Sequence, residues 1–183
     1  MRAVFLALGF CLALSGPVVV SAQTVPESRV PLSPGADEAR DAWLSGRYDE
    51  ALVLARPLAE AGDAGAQNLM GAAYDDARGV LHDPVEAVRW YERAAAQGFG
   101  PALQNLGQIL RDGRRGVARD PARARGLFAQ AVEAGWAPAH EVLGMMLFSG
   151  TGGPVDLSGA RAQFEAGRAD VGLNRQVLRP TQG

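Results

Sequence analysis

Residues 66–98 read AQNLMGAAYDDARGVLHDPVEAVRWYERAAAQG, and the same arrangement returns twice further along the chain. A glycine that follows a large apolar residue recurs at Gly71, Gly107 and Gly144. An aspartate, followed four positions later by alanine and eight positions later by an aromatic residue, recurs at Asp83, Asp120 and Asp156. Because these classes of position keep one spacing of 36 or 37 residues, the sequence indicates an internal repeat.

Each repeat is predicted to contain two helices joined by a glycine turn. The first helix has apolar residues at helical spacing, which in the middle repeat are Ala102, Leu106, Ile109 and Leu110. The second helix is predicted to begin at Asp83 and Pro84, because aspartate accepts hydrogen bonds from free N–H groups and proline has no N–H to lose. Gly98 and Gly135 are typical of helix ends. The starts and ends of the helices thus follow the repeat period.

The chain divides into a repeat array and two flanking segments. The predicted boundaries are 1–22 for a signal sequence, 23–35 for a flexible linker, 36–65 for a degenerate first repeat, 66–101, 102–138 and 139–170 for three further repeats, and 171–183 for a tail. Hydrophobic residues make up 48% of the chain, which is enough for a packed core. Strand-forming runs are missing after residue 31. The expected fold class is therefore all-α, a solenoid of about four helix-turn-helix repeats.

The first 22 residues are typical of a secretory signal sequence. Arg2 supplies a charged start, residues 3–20 are mostly apolar, and residues 20–22 (Val-Ser-Ala) offer small side chains for cleavage before Gln23. An uncleaved membrane anchor is the alternative, but glycines interrupt the apolar run. Cleavage would also remove the single cysteine, Cys11, so no disulfide would hold the mature fold. We expect a periplasmic or secreted protein without stable membrane insertion.

The repeated segments resemble the Sel-1-like repeat, a relative of the tetratricopeptide repeat. The resemblance rests on residues 66–74, 78–83 and 86–98 and extends over roughly 36–168, with a degenerate tetratricopeptide-like repeat at 36–65. It implies a right-handed superhelix that serves as a scaffold for protein partners, and it implies no catalytic residues. In the last repeat Leu157 replaces proline and the terminal glycine is missing, which suggests a C-terminal cap.

Several kinds of catalytic or ligand chemistry are disfavoured by the composition. All 18 basic residues are arginine, which excludes mechanisms that need a lysine. The two histidines, His82 and His140, are more than one repeat apart. The glycine turn at 150–153 lacks the preceding strand of a phosphate-binding loop. Carboxylates and imidazole at Asp75, Asp76, His82 and Asp83 are possible metal ligands, but helix capping by Asp83 and a solvent-facing position of Asp75 and Asp76 explain these residues better. No cofactor or metal is predicted.

Charge is distributed unevenly along the chain. Residues 23–100 contain thirteen acids and seven arginines, a balance of −6, whereas residues 101–183 contain seven acids and ten arginines, a balance of +3. Six of these arginines surround one turn: Arg111, Arg114, Arg115, Arg119, Arg123 and Arg125. They form either a solvated turn that pairs with Asp112 and Asp120 or a site for an anionic partner. Nucleic acid is disfavoured because the chain is net negative and carries an export signal.

Packing expectations follow from the repeat register. Tyr91, Phe128 and Phe164 hold equivalent positions and are predicted to be core, while Trp90 is expected between repeats and Trp136 partly exposed. Gly107 sits within a helix, where glycine costs about 1 kcal/mol relative to alanine, so its recurrence indicates a close helix contact. Substitution of Gly107 by leucine is therefore predicted to destabilise the fold more than the same change at Gly100.

Candidate partner-binding residues lie on the first helices, which line the concave face in tetratricopeptide-like superhelices. Together with Ala72, they are Asn68, Asp75, Gln104, Gln108, Arg111, Glu141, Met145 and Phe148. Met145 and Phe148 are apolar where earlier repeats carry polar residues or alanine, so they are predicted to form an anchor for a partner. Coverage of these two residues by the C-terminal tail is the alternative.

The resemblance favours a monomeric adaptor of the bacterial periplasm that binds a protein or peptide. The rival hypothesis is a cell-wall-active enzyme, because cysteine-rich secreted relatives have been linked to penicillin binding. This chain lacks the cysteines of that branch, and no serine sits in a recognisable nucleophile setting. A purely structural module of an envelope assembly is a third hypothesis, which the sequence does not separate from the first.

Overall fold

The computed structural model describes residues 34–177, with side chains described for residues 35–169. The predicted signal sequence and almost all of the predicted linker lie outside this range. The described residues form eight helices: α1 Pro34–Leu44, α2 Tyr48–Glu60, α3 Ala64–Asp76, α4 Pro84–Ala95, α5 Gly100–Asp112, α6 Pro121–Glu133, α7 Ala139–Ser149 and α8 Leu157–Val177. α8 runs past the predicted end of the last repeat, so residues 171–177, assigned to a tail from the sequence, are helical.

The helices pack as four consecutive pairs. α1 packs on α2, α3 on α4, α5 on α6 and α7 on α8, and each second helix also packs on the first helix of the next pair. Contacts between elements distant in the chain are few, because each pair contacts mainly its neighbours. The all-α solenoid expected from the sequence is confirmed.

Hydrogen bonds at the starts of the second helices confirm the predicted caps. The Asp83 carboxylate accepts from the backbone N–H groups of Val85 and Glu86, at 3.1 and 3.0 Å. The Asp120 carboxylate accepts from the N–H of Arg123 at 2.9 Å. Each of these carboxylates satisfies N–H groups that the first turn of a helix leaves free.

The same aspartates close the turn between the helices of each pair. The backbone N–H of Asp83 donates to the carbonyl of Tyr74, and the equivalent bond joins Asp120 to Leu110. A third copy of this bond joins Asp156 to Leu147. One aspartate per repeat therefore both starts the second helix and ties it to the end of the first.

Close helix contacts explain the recurring glycines. A Cβ atom added at Gly71 would lie 2.6 Å from the Tyr91 ring, and one added at Gly107 would lie 3.0 Å from the Phe128 ring. The third glycine, Gly144, stands in the same relation to Phe164, at 2.7 Å. In each of these three repeats the aromatic residue of the second helix thus lies directly over the glycine of the first, which leaves little room for a larger residue.

The contacts of the two glycines do not support the predicted difference between Gly107 and Gly100. A Cβ atom at Gly100 would lie 2.5 Å from the Cβ atom of Trp136, which is closer than the 3.0 Å contact at Gly107. Gly100 is buried at the start of α5, where the turn that leads into α7 crosses it. The crowding comes from Trp136, 36 positions further along the chain, so it depends on how the helices pack and is not visible in the sequence around Gly100.

Candidate partner-binding surface

The first helices α3, α5 and α7 carry the predicted binding residues at equivalent positions, which we call the first-helix row. The row consists of Asn68, Asp75, Gln104, Gln108, Arg111, Glu141, Met145 and Phe148. On α3 and α5 its members are half-buried, whereas on α7 they are exposed. Met145 and Phe148 expose 60% and 62% of their surfaces, so tail residues within the described range leave both accessible.

Two members of the row accept hydrogen bonds from residues outside their own helix pair. The Asn105 side chain, on the first helix of the next repeat, donates from Nδ2 to Oδ1 of Asn68 at 3.0 Å. The Trp136 indole N–H, in the turn that leads from α6 to α7, donates to Oε1 of Gln104 at 2.6 Å. These bonds fix two of the polar side chains in the row.

Asn105 was missed by the sequence analysis although a signal was present. In the repeat register it corresponds to Leu69 and Val142, which are apolar. A polar residue at an otherwise apolar position marks a place where a special partner is needed, because an unpaired amide in a packed interface is costly.

Asp75 is half-buried, whereas the sequence predicted that it faces solvent. Its carboxylate lies 3.6 Å from Nε of Arg114 in the next repeat, and only 18% of its side chain is exposed. Burial raises the pKa of the Tyr91 hydroxyl above its ordinary value, and the nearby carboxylates of Asp75 and Asp76 raise it further. The Asp75–Arg114 pair therefore belongs to the contact between two repeats.

The arginine-rich turn is largely paired, though not as predicted. Arg111 binds Asp112 through two hydrogen bonds, of 2.7 and 3.0 Å, which hold the pKa of Asp112 below its ordinary value. Asp120 caps α6, and Arg123 instead forms an ion pair of 2.7 Å with Glu92 of the preceding repeat. The prediction of pairing is right for Asp112 and wrong for Asp120.

Arg115, Arg119 and Arg125 have no carboxylate partner within the described residues, whereas Arg114 pairs with Asp75. Arg119 donates to the carbonyl of Arg111 at 2.9 Å, and Arg125 donates to the carbonyl of Pro154 at 2.9 Å. Arg115 is exposed and makes no hydrogen bond or ion pair there. Most of the cluster thus fixes the turn and its neighbours, and a smaller positive surface remains around Arg115.

An open groove of about 480 Å³ lies between α7 and α8. Its apolar lining comes from Phe148, Leu157 and Phe164, and charged side chains of α8 flank it. Phe164 was predicted to be core like Tyr91 and Phe128, but it is only half-buried. Phe148 therefore belongs both to the end of the first-helix row and to this groove, whereas Met145 belongs to the row alone.

The histidines and the glycine turn singled out in the sequence either face solvent or contact neighbouring residues of the fold. His82 is exposed in a turn, and Nδ1 of His140 lies 2.7 Å from Oε1 of Gln163. Gly152, in the glycine turn, lies directly against the carbonyl of Pro121 in the preceding repeat. Within residues 35–169, no three histidine, cysteine or acidic side chains come together as a metal site would require.

None of the helices in the described part of the chain combines the length and apolar character that crossing a bilayer requires.

The fold and the row of side chains define a class of protein, an α-helical repeat solenoid with an accessible surface on its first helices. The sequence profile of the Sel1 repeat matches residues 64–99, 100–136 and 137–167, more than half of the chain. The protein belongs to the Sel1 repeat family, as the resemblance predicted. Repeats of this family generally mediate protein–protein interactions, and its members are typically non-enzymatic scaffolds.

Two solved structures are similar to this chain. One is a Sel1 repeat protein from Oxalobacter formigenes, with 26% identity and a TM-score of 0.69 over 77% of this chain and 59% of that one. The other is a protective antigen of uropathogenic Escherichia coli with an SLR fold, with 29% identity and a TM-score of 0.64 over 67% of this chain and 26% of that one. This chain therefore spans less than two thirds of either relative. No curated protein matches it by sequence.

Proposed function

We propose that the protein is an exported, non-enzymatic Sel1-repeat scaffold of the bacterial periplasm that binds a protein or peptide along the first-helix row. The observation that carries this proposal is the accessible apolar pair Met145 and Phe148 at the end of a row of polar side chains. Exposed apolar residues beside polar ones are typical of anchor positions in protein interfaces.

The geometry of the row supports one continuous contact. Asn68 and Gln104 are held in place by hydrogen bonds from Asn105 and Trp136, so little side-chain entropy is lost when they contact a partner. Gln108 is half-buried and makes no hydrogen bond within the described residues, which leaves its amide available. The row offers fixed amides on α3 and α5 and an apolar anchor on α7.

A photo-crosslinking experiment tests the surface. We place a crosslinking amino acid at Gln108 in one variant and at Leu81, an exposed residue of the turn between α3 and α4 that is not a member of the row, in the control. The proposal expects one dominant adduct from position 108 and none of the same mass from position 81. Equal labelling from both positions would reject the row as the binding surface.

Affinity for the crosslinked partner then tests the anchor. Met145→Ala is expected to weaken binding by about 1–3 kcal/mol, roughly 5- to 150-fold, because an apolar anchor loses its contact. Leu81→Ala should leave the affinity unchanged. The melting temperatures of both variants should match that of the unaltered protein, since both side chains are exposed. Unchanged affinity of Met145→Ala would remove Met145 from the site.

Export is tested by the N-terminus of the purified protein. We expect the mature chain to begin at Gln23 and to melt at the same temperature with and without reductant, because its single cysteine precedes the cleavage site. Retention of Met1 would contradict export by a cleaved signal.

The non-enzymatic assignment has a direct test. Purified protein is assayed with a β-lactam and with peptidoglycan fragments, the substrates of the cell-wall enzyme hypothesis. We expect no turnover. Turnover that disappears on a single substitution would replace the scaffold proposal with an enzymatic one.

A further inference from the structure

The exposed side of the last repeat has the composition of a contact between repeats. We call it the C-terminal face, and it consists of Phe148, Leu157, Arg161, Phe164, Glu165 and Arg168. All six residues line the groove between α7 and α8. Phe148 and Leu157 are mostly exposed, although a terminal repeat is expected to present a polar outer face to solvent.

The aromatic residue that α8 contributes to this face is buried at the equivalent positions of earlier repeats, and the counterpart of Leu157 in the preceding repeat is half-buried. Phe164 corresponds to Tyr91 and Phe128, which pack in the core together with residues of the following first helix. Leu157 corresponds to Pro121, whose carbonyl lies against Gly152 in the turn of the next repeat. A following repeat therefore covers these positions wherever one is present.

The charged residues of the face match groups that hold the next repeat. Arg161 corresponds to Arg125, which donates to the carbonyl of Pro154 in the following turn at 2.9 Å. Glu165 corresponds to Glu92, which pairs with Arg123 of the following repeat at 2.7 Å. On the C-terminal face, Arg161 and Glu165 pair with each other at 2.7 Å. The last repeat thus combines two side chains that each contact the following repeat at one earlier position, although Val88 and Ala129 stand at the other equivalent positions.

The opposite end of the solenoid is complementary to this face in charge. α1 buries Ala36, Ala39 and Ala42 and turns Glu38, Asp41 and Leu44 to solvent. Leu44 is 75% exposed and lies one helical turn from Asp41. Within the described residues Glu38 and Asp41 make no ion pair, and neither does Arg168 on the C-terminal face. Both ends therefore combine an accessible apolar side chain with charge that has no ion-pair partner, from two carboxylates on α1 and from the single guanidinium of Arg168 on the C-terminal face.

We infer that the C-terminal face of one molecule receives α1 of a second copy, so that the solenoid continues from molecule to molecule. Leu44 lies against Phe148, Leu157 and Phe164, and the carboxylates of α1 face the arginines of α8. Such a head-to-tail contact is not closed by symmetry, so each added molecule leaves a free end. The inference departs from the monomer predicted from the sequence. It concerns a different partner from that of the proposed function, and its surface shares only Phe148 with the first-helix row.

Sedimentation velocity and light scattering of the mature protein over a series of concentrations test this inference. The mass is expected to rise continuously with concentration and to fall at high salt, because salt screens the exposed charges. Leu157→Glu should weaken association at least tenfold, about 1.4 kcal/mol, whereas Leu81→Glu, an equal change at an exposed turn position, should not. A constant monomer mass, or equal effects of the two variants, would overturn the inference.

Charge exchange distinguishes the head-to-tail contact from other modes of association. Glu38→Arg with Asp41→Arg forms one variant and Arg168→Glu the other, and each alone is expected to be monomeric because like charges meet at the junction. Their mixture should associate again, since every junction then joins opposite charges. Failure of the mixture to associate would reject this geometry. Met145→Ala should leave self-association unchanged, which separates this test from that of the first-helix row.

Discussion

The second and third Sel1 repeats share one sequence pattern but differ in what covers them. Phe128 in α6 is 0% exposed, whereas its counterpart Phe164 in α8 is half-buried. Arg125 reaches the next turn, whereas its counterpart Arg161 pairs within its own helix. In a repeat protein the burial of a residue therefore depends on the presence of the next repeat as much as on the residue itself.

The largest expected difference between the two repeats concerns their aromatic residues. Phe128→Ala should destabilise the fold by about 3–5 kcal/mol, because it leaves a cavity in a closed core. Phe164→Ala should reduce the free energy of unfolding by less than about half of that amount, since the Phe164 ring already contacts solvent. Urea unfolding of both variants measures the free energies, and equal losses would contradict the comparison.

Leucine at the recurring glycines is expected to have the next largest effect. Gly107→Leu should cost about 3 kcal/mol or more, because Phe128 has no space into which to move. Gly144→Leu should cost less, since Phe164 can rotate toward the groove. Gly100→Leu should resemble Gly107→Leu, because it meets the Cβ atom of Trp136, which is fixed by the backbone. Thermal unfolding of the three variants measures the order of their losses in stability. A smaller loss for Gly107→Leu than for Gly144→Leu would contradict the expected order.

A smaller effect is expected at the cap of α6. Asp120→Ala should reduce stability by about 1 kcal/mol, because the N–H of Arg123 loses its acceptor. Arg115→Ala, at an exposed and unpaired position in the same turn, serves as the control and should change stability little. A loss at Arg115 as large as that at Asp120 would argue against the cap as the cause.

The smallest effect is the acid dependence contributed by the cap of α8. The backbone N–H of Gly159, then the hydroxyl of Ser158, lower the pKa of Asp156 from its ordinary value of 3.8. Because the pKa is lower in the folded state, the stabilisation is present above the unfolded pKa and is lost as the pH falls through the folded pKa. Asp156→Asn should make the free energy of unfolding depend less on pH in this acidic range. An NMR titration that places the pKa at or above 3.8 would refute the prediction.

Local features of the fold follow directly from particular residues. Helix starts are fixed by Asp83 and Asp120, and the close contact within a helix pair is fixed by the recurring glycines. Both act within one repeat, so the sequence of a single repeat is enough to predict them. The bond between Asn105 and Asn68 and the crowding at Gly100 join different repeats. Prediction failed for these because residues more than 30 positions apart become neighbours only after the helices stack.

For the candidate site, the sequence identified Met145 and Phe148 as apolar residues at otherwise polar positions, and the structure shows both to be exposed. Their role in binding stays a prediction. The groove beside Phe148 could not be predicted, because Leu157 and Phe164 appear as ordinary repeat positions in the sequence. Their exposure depends on what covers α8.

The sequence by itself determined the repeat period, the helix-turn-helix unit, the capping residues and membership of the Sel1 repeat family, because each depends on side chains acting within a single repeat or on the spacing of repeats. Only the tertiary structure decided which repeat positions are buried, which arginines are paired and where the solenoid presents an apolar face. The reason is physical. Helix starts and turns are set by local hydrogen bonds, whereas burial is set by the surface of a neighbouring repeat, which the residues of one repeat do not encode.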